Sequence, residues 1–557
     1  MKKIVLFALM LLFLTPVIFA EEYVIVNSED WRDVYSAMLY GSLSGRGVSF
    51  LVSDRHSTLI LGSIPKETSI IAMSSRKSPF IIGYGAVLEN SGYDTEEVVY
   101  DGFNLEVARL LDVENYIIVD DSYGYNAVSV APYAVVSDSY VLFADRGNIR
   151  EIDSFLSERN VGNLLIYGNV DRQVKEALAR YDPEIINKDG DRFANNIEIV
   201  KKYQKIKNAK QVMLTNGEFI EKEVMSGAEP VIFIGANNVP DQVRDYIQST
   251  DIEIGVLVGN ELVGTATYIR RNVGISVFVK FAQGARAPKG AISQVEALDM
   301  FYLPVYSLNI EVDSIKYNKA TNQLEVNIKN TEDQAVYFKG TYSIMGDGAE
   351  QKVGDIDPIF LDGNEIKTVV YDLEPITGEE IRADVYIIYG ESKGSMEKVI
   401  DLSMTIELVE IYDKCEISLN DLRYNKRKGV FYIEVENTAD VDCYVDVELV
   451  DLLINSETRS FSADDVLLLK PGEKNKQRIK AKLEEEDIED NDIINARAYY
   501  GERSDSLVKL IEAEFELAFE DIDYVSYSLL LIIILLILLI IWRRYQNRKE
   551  RKKKKRS

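Results

Sequence analysis

The chain has 557 residues, 63 Lys or Arg against 91 Asp or Glu, a net charge of −28, one histidine and two cysteines. A single histidine, His56, leaves no multi-histidine zinc site, and two cysteines leave no four-cysteine metal site and no disulfide-dense scaffold. The acidic balance argues against nucleic acid as a partner, because phosphate binding needs a basic face, while 46% apolar residues suffice for packed domains.

Residues 1–20 place Lys2 and Lys3 before an apolar stretch from Ile4 to Leu14, then Pro16 and a small residue, Ala20. That order predicts a secretory signal peptide. From 21 to about 290, short apolar runs alternate with helix-like segments. Tyr23-Val-Ile-Val26, Tyr116-Ile-Ile-Val119, Leu164-Leu-Ile-Tyr167 and Val231-Ile-Phe-Ile234 read as strands buried on both faces. Asp171 to Tyr181 and Asp241 to Ile247 have helical spacing. The alternation predicts an α/β head of parallel βα units.

The head carries an internal repeat. Tyr116-Ile-Ile-Val119 echoes Tyr23-Val-Ile-Val26, 93 residues earlier, and Asp191-Arg-Phe193 echoes Asp101-Gly-Phe103, 90 residues earlier. Gly168-Asn-Val170 followed by Asp171 echoes Gly235 to Val239 followed by Asp241. In that pair a strand ends, glycine turns the chain, and aspartate opens a short helix. Three units are predicted, near 23–110, 115–205 and 210–285. The Gly-x-Val turn, and Gly190-Asp191-Arg192-Phe193 opening a helix near a 90-residue period, resemble the second type of cell-wall-binding repeat. That family occurs in triplicate on prokaryotic surface and surface-layer proteins. The resemblance implies attachment to anionic wall polymers.

Catalytic signals are sparse. Ser63-Ile-Pro-Lys66 and Ser74-Ser-Arg-Lys77 fit Ser-x-x-Lys at about the rate chance provides, and Gly41 to Gly45 puts Leu43 where an esterase elbow needs serine. No Gly-rich phosphate loop follows a strand. The expectation is a protein that is not an enzyme and takes no cofactor or metal. One stretch breaks the acidic pattern: Leu262 to Val295 contains no acid and carries Arg270, Arg271, Lys280, Arg286 and Lys289. Arg270, Arg271, Lys280 and Arg286 are therefore candidate partner-binding residues, for an acidic face of a second copy or for an anionic polymer.

Beyond Tyr306 the period changes to two. Ser307 to Asp313, Gln323 to Asn330 and Ala383 to Tyr389 alternate apolar and polar between Gly/Asp/Asn turns. Val326-Asn-Ile-Lys-Asn-Thr331 recurs as Ile433-Glu-Val-Glu-Asn-Thr438, 107 residues on. Two immunoglobulin-like β-sandwiches are predicted, at 305–405 and 406–520. Cys415 and Cys443, 28 residues apart in the second, are expected to form a disulfide in an oxidising compartment. The acidic run Glu484 to Asp487 lacks calcium-loop spacing and reads as a solvated turn.

Leu529 to Ile541 is thirteen consecutive Leu or Ile residues, and 524–542 is uncharged throughout. Nineteen residues make about 28 Å of helix, close to one bilayer core, so a transmembrane helix is predicted at 524–542. The tail 543–557, with ten Lys or Arg and one Glu, is predicted to be cytoplasmic. The whole reads as an α/β repeat head, two immunoglobulin-like sandwiches and one C-terminal transmembrane helix, a single-pass cell-membrane protein with its ectodomain outside. The expected role is structural, as a surface-layer or envelope component that self-associates into a homo-oligomer or lattice, or binds envelope polymer through the head. The alternatives are a membrane-anchored ligand-binding receptor or adhesin, and a tethered hydrolase.

Overall fold

The computed structural model describes residues 22–259, 262–280, 299–347, 350–378, 380–520 and 532–544. They form two compact units that divide between Tyr412 and Asp413, apart from Asn455–Glu457, which group with the first.

The first unit begins with three four-stranded parallel sheets. Val24, Ile25 and Val26 are fully buried, so the strand Glu22–Asn27 is apolar on both faces. Only a sheet covered on both sides accepts such a strand. Its sheet runs Gly47–Phe50, Glu22–Asn27, Ser69–Ser75, Asp94–Tyr100. The second runs Ser139–Phe143, Asn115–Val119, Asn163–Tyr167, Glu184–Ile186. The third runs Val231–Phe233, Gln211–Thr215, Ile254–Val258, Ser276–Lys280. Each has the chain order second, first, third, fourth, so one topology occurs three times.

One apolar core runs through all three sheets. The helices Trp31–Ser44 and Tyr125–Val136 follow the first strands of the first two. In the third, the chain instead forms the short strand Phe219–Glu221 and the turn Val224–Ser226. These elements meet. The Tyr35 hydroxyl donates to the Ala127 carbonyl at 2.8 Å and the Ser42 hydroxyl to the Met225 carbonyl at 2.9 Å. Gly227, at φ +68°, lies where a Cβ would stand 2.6 Å from the Val135 side chain, so close packing and backbone conformation both require glycine.

Asparagines tie each closing helix to the next sheet. Asn104 donates to the Val141 carbonyl at 2.9 Å and accepts from the Phe143 amide at 3.0 Å. Asn196 does the same with Val231 and Phe233, at 3.0 and 2.9 Å. Both target strands lie at sheet edges, and a side-chain amide presents the donor and acceptor that a further strand would bring.

Period-two segments follow. One antiparallel group is Ile366–Asp372, Gln323–Asn330 and Ile310–Asn318, with Glu407–Val409 added in parallel. The facing sheet is Gln351–Gly354, Val336–Met345, Arg382–Gly390, Met396–Thr405. Leu324, Val326, Ile328, Phe338, Tyr342 and Ile387 fill the space between them. The second unit has sheets Ile417–Asn425, Val430–Asn437, Lys474–Lys480 and Glu457–Ser462, Cys443–Ile454, Ile493–Gly501, Lys509–Glu516. Cys415 and Cys443 are joined by a disulfide inside its core.

The expected fold class needs correction at its carboxyl end. Among the described residues no helix is long and apolar enough to cross a membrane. The described residues of the apolar run, 532–544, are helical throughout. The chain is therefore described as mixed parallel α/β units followed by antiparallel sheets, and the single-pass cell-membrane localisation has no span among the described residues to rest on. The expected signal peptide, residues 524–531 of the run and the basic tail from 545 onward lie outside the described residues.

Candidate functional site

The acid-free stretch is spread along the third parallel sheet. Arg270 and Arg271 sit side by side, exposed, in the turn Ile269–Val273. Neither has an ion pair among the described residues. Gly274 ends that turn in the left-handed region and the edge strand Ser276–Lys280 follows. Lys280 is at the far end of this strand, about 13 Å from Ser276 at the usual rise, and pairs with Glu223. Arg270 and Arg271 are thus neighbours by sequence alone, and Lys280 stands apart from them at the end of the strand. Arg286 lies outside the described residues. The last expected site, Cys415 with Cys443, is structural, being fully buried.

A second basic feature arises from the helix Arg192–Ile206. Asp191 caps it, its carboxylate accepting from the Phe193 and Ala194 amides at 2.9 Å each, which fixes the helix phase. Glu198, Lys201, Lys202 and Lys205 then fall at i, i+3, i+4 and i+7, one stripe. They line a groove of about 460 Å³ together with Glu184, Ile186 and, from the helix Asp241–Gln248, Tyr246. Three ammonium groups face two carboxylates, so the lining is net positive in a chain of −28.

The groove charges are partly engaged. Lys201 pairs with Glu198 at 2.7 Å and Lys202 with Glu184 at 2.6 Å. Lys205 is exposed and has no ion pair among the described residues. The Lys201 ammonium lies 5.8 Å from the Tyr246 ring centre, within cation–π range. Burial, with the Glu198 carboxylate adding to it, pushes the Tyr246 hydroxyl up to about 12, so it stays protonated and able to donate. Chemically the groove offers a free cation, two exchangeable ones, a hydroxyl donor and an aromatic face. That set suits an extended anion. The stripe is visible in the sequence at helical spacing, but charged stripes ordinarily face solvent. Tyr246 comes from the next unit, and no local pattern links it to the lysines.

No family model matches the chain. No curated protein matches it. Among solved structures it is similar to Cwp8 from Clostridium difficile, at 16% identity and a TM-score of 0.37, over 46% of this chain and 48% of that one. It is similar also to Cwp6 from Clostridium difficile, at 12% identity and a TM-score of 0.32, over 47% and 54%. The chain spans about half the length of these two structures. Likenesses at these scores carry neither an activity nor a partner to this chain.

Proposed function

We propose that the chain is a structural protein of the cell surface, not an enzyme, whose α/β head holds an anionic polymer of the envelope. The groove beside Lys201, Lys202 and Lys205 carries the reading, because it is net positive on a strongly acidic molecule. Exposed charge contacts are worth about 0–1 kcal/mol each and are screened by salt. A polymer meeting several of them in series gains from effective concentration, which a small anion cannot. The Cys415–Cys443 disulfide agrees with an oxidising compartment. Self-association is a second reading, favoured by Arg270 and Arg271, which are exposed, adjacent and unpaired among the described residues; an acidic face of another copy would complement them.

The test is a titration of the full chain with dextran sulfate and with uncharged dextran, at low and high salt. The wild type is expected to bind only the sulfated polymer, less tightly at high salt. The triple variant Lys201→Glu, Lys202→Glu, Lys205→Glu should bind it about tenfold or more weakly, the loss of roughly 1.4 kcal/mol that a few surface pairs supply. Equal affinity in the triple variant, or no preference for the sulfated polymer, would overturn the reading. Surface labelling of intact cells checks the location independently.

A further inference from the structure

We infer that the first sandwich is fastened to the α/β head by a charge lock at Arg192, closed while the Glu391 carboxyl holds a proton and released when it ionises. Arg192 opens the helix Arg192–Ile206, and its side chain is 8% exposed. Glu391 and Glu397 flank the hairpin between the strands Arg382–Gly390 and Met396–Thr405, with side chains 12% and 6% exposed. The guanidinium donates from Nη2 to Glu397 and from Nη1 to the Tyr306 hydroxyl at 2.8 Å. Its flat face lies 4.2 Å from the Tyr125 ring centre.

Glu391 is the odd partner. Its Oε1 stands 3.6 Å from Arg192 Nε, and neither atom has a hydrogen-bond partner among the described residues. One buried cation therefore faces two carboxyl groups and can neutralise one. Glu397 has the direct hydrogen bond, which leaves Glu391 as the group that is neutral when the joint is closed. Burial pushes the Glu391 carboxyl upward and Glu397 adds to the push, against the pull of Arg192. The other groups around the centre are Asp191 from the same helix, Tyr125 from the second parallel unit, Glu218 from the third, and Tyr389 from the sandwich. Burial works against the Arg192 charge, but the Glu397 carboxylate, joined by Glu391 once that group is ionised, overcomes it and holds the guanidinium above its ordinary range. Burial does the same for the Tyr125 hydroxyl. Neither loses its proton near neutrality. Ionised Glu391 would put a second negative charge, uncompensated, in the joint.

Around this centre Tyr306 packs on the Tyr123 and Tyr125 rings, while the hairpin itself is held by polar contacts that water can replace. Ser392 donates to Asp191 at 2.8 Å, Gln242 donates to Asp191 at 3.0 Å and to the Gly394 carbonyl at 3.2 Å, and Asn238 donates to the Met396 carbonyl at 2.6 Å. Such a rim holds position while the centre is neutral and gives way to solvent when it is not.

Hydrogen–deuterium exchange of the full chain, corrected for intrinsic rates, tests the lock. Between about pH 5 and about pH 8, hairpin residues 390–397 of the wild type should lose about tenfold or more protection, as expected for a carboxyl whose value is about 8 with the joint closed and near 4.5 with it open. The strand Gln323–Asn330 should keep its protection. Glu391→Gln, the neutral isostere, should hold the hairpin protected across the range. A flat wild-type profile would overturn the lock, as would the same fall in Glu391→Gln. Joint loss in the hairpin and in Gln323–Asn330 would also overturn it, since that is general unfolding, and the wild-type profile decides this whether or not the variant folds.

Discussion

A guanidinium out of water needs partners on every side, and Arg192 takes its partners from three parts of the first unit. Removing one member of a buried ion pair leaves the other uncompensated and costs about 3–5 kcal/mol. Arg192→Met should therefore lower the stability of the first unit by an amount of that order, read by chemical denaturation. Glu221 poses a separate residue-scale case. It is 3% exposed, accepts from the Glu223 and Val224 amides, and burial pushes it up to about 7. A carboxyl whose folded value lies above its unfolded value near 4.5 binds more protons folded than unfolded. Its contribution is fully present below that unfolded value and fades as pH rises towards 7. Glu221→Gln should flatten this part of the stability-versus-pH curve, by about 3 kcal/mol at most; a curve of unchanged slope would show that the group is not responsible.

At the scale of elements, the three parallel sheets depend on how their edges are finished. Asn196 is 1% exposed and Asn104 is half-buried, yet both present the same two hydrogen bonds to an edge strand. Leaving a buried amide and carbonyl unpaired costs about 1–3 kcal/mol. Asn196→Ala should fall at the upper end of that range and Asn104→Ala at the lower, measured as shifts in denaturation midpoint; the reverse order would mean that water reaches the Asn196 site. The alternation of Tyr23 to Val26 and of Gln323 to Asn330 is legible because strand period and burial are local properties. The recurrence of Asp-x-Phe ahead of a helix is legible for the same reason. The edge pairing is not, since Asn104 and Phe143 are 39 residues apart. Nothing at Asn104 distinguishes an amide that clamps a strand from one that faces solvent.

For the molecule as a whole, acidic charge and a single disulfide shape what experiments will see. Cys415 and Cys443 close a 28-residue separation in the second unit, and a loop of that size contributes about 3 kcal/mol in the chain-entropy account. Replacing both by serine should destabilise the second unit by about that much, seen as a lower denaturation midpoint that reductant no longer shifts. If reductant lowers the wild-type midpoint no further than that of the double variant, the bond accounts for the whole difference. The basic groove makes a contrary prediction for charge: added salt should weaken polymer binding while easing the self-repulsion of an acidic chain.

By itself the sequence determined the textures, a parallel α/β region built on a repeat and then period-two strands, because each is written in neighbouring residues. It also marked Leu529 to Ile541 as apolar, though among the described residues no helix is long and apolar enough to cross a membrane. Only the tertiary structure decided which charges meet. Arg192 and Glu397 are 205 positions apart, and Lys201 finds Tyr246 on another helix. Long-range neighbours are chosen by packing and by desolvation, and neither leaves a period in the chain.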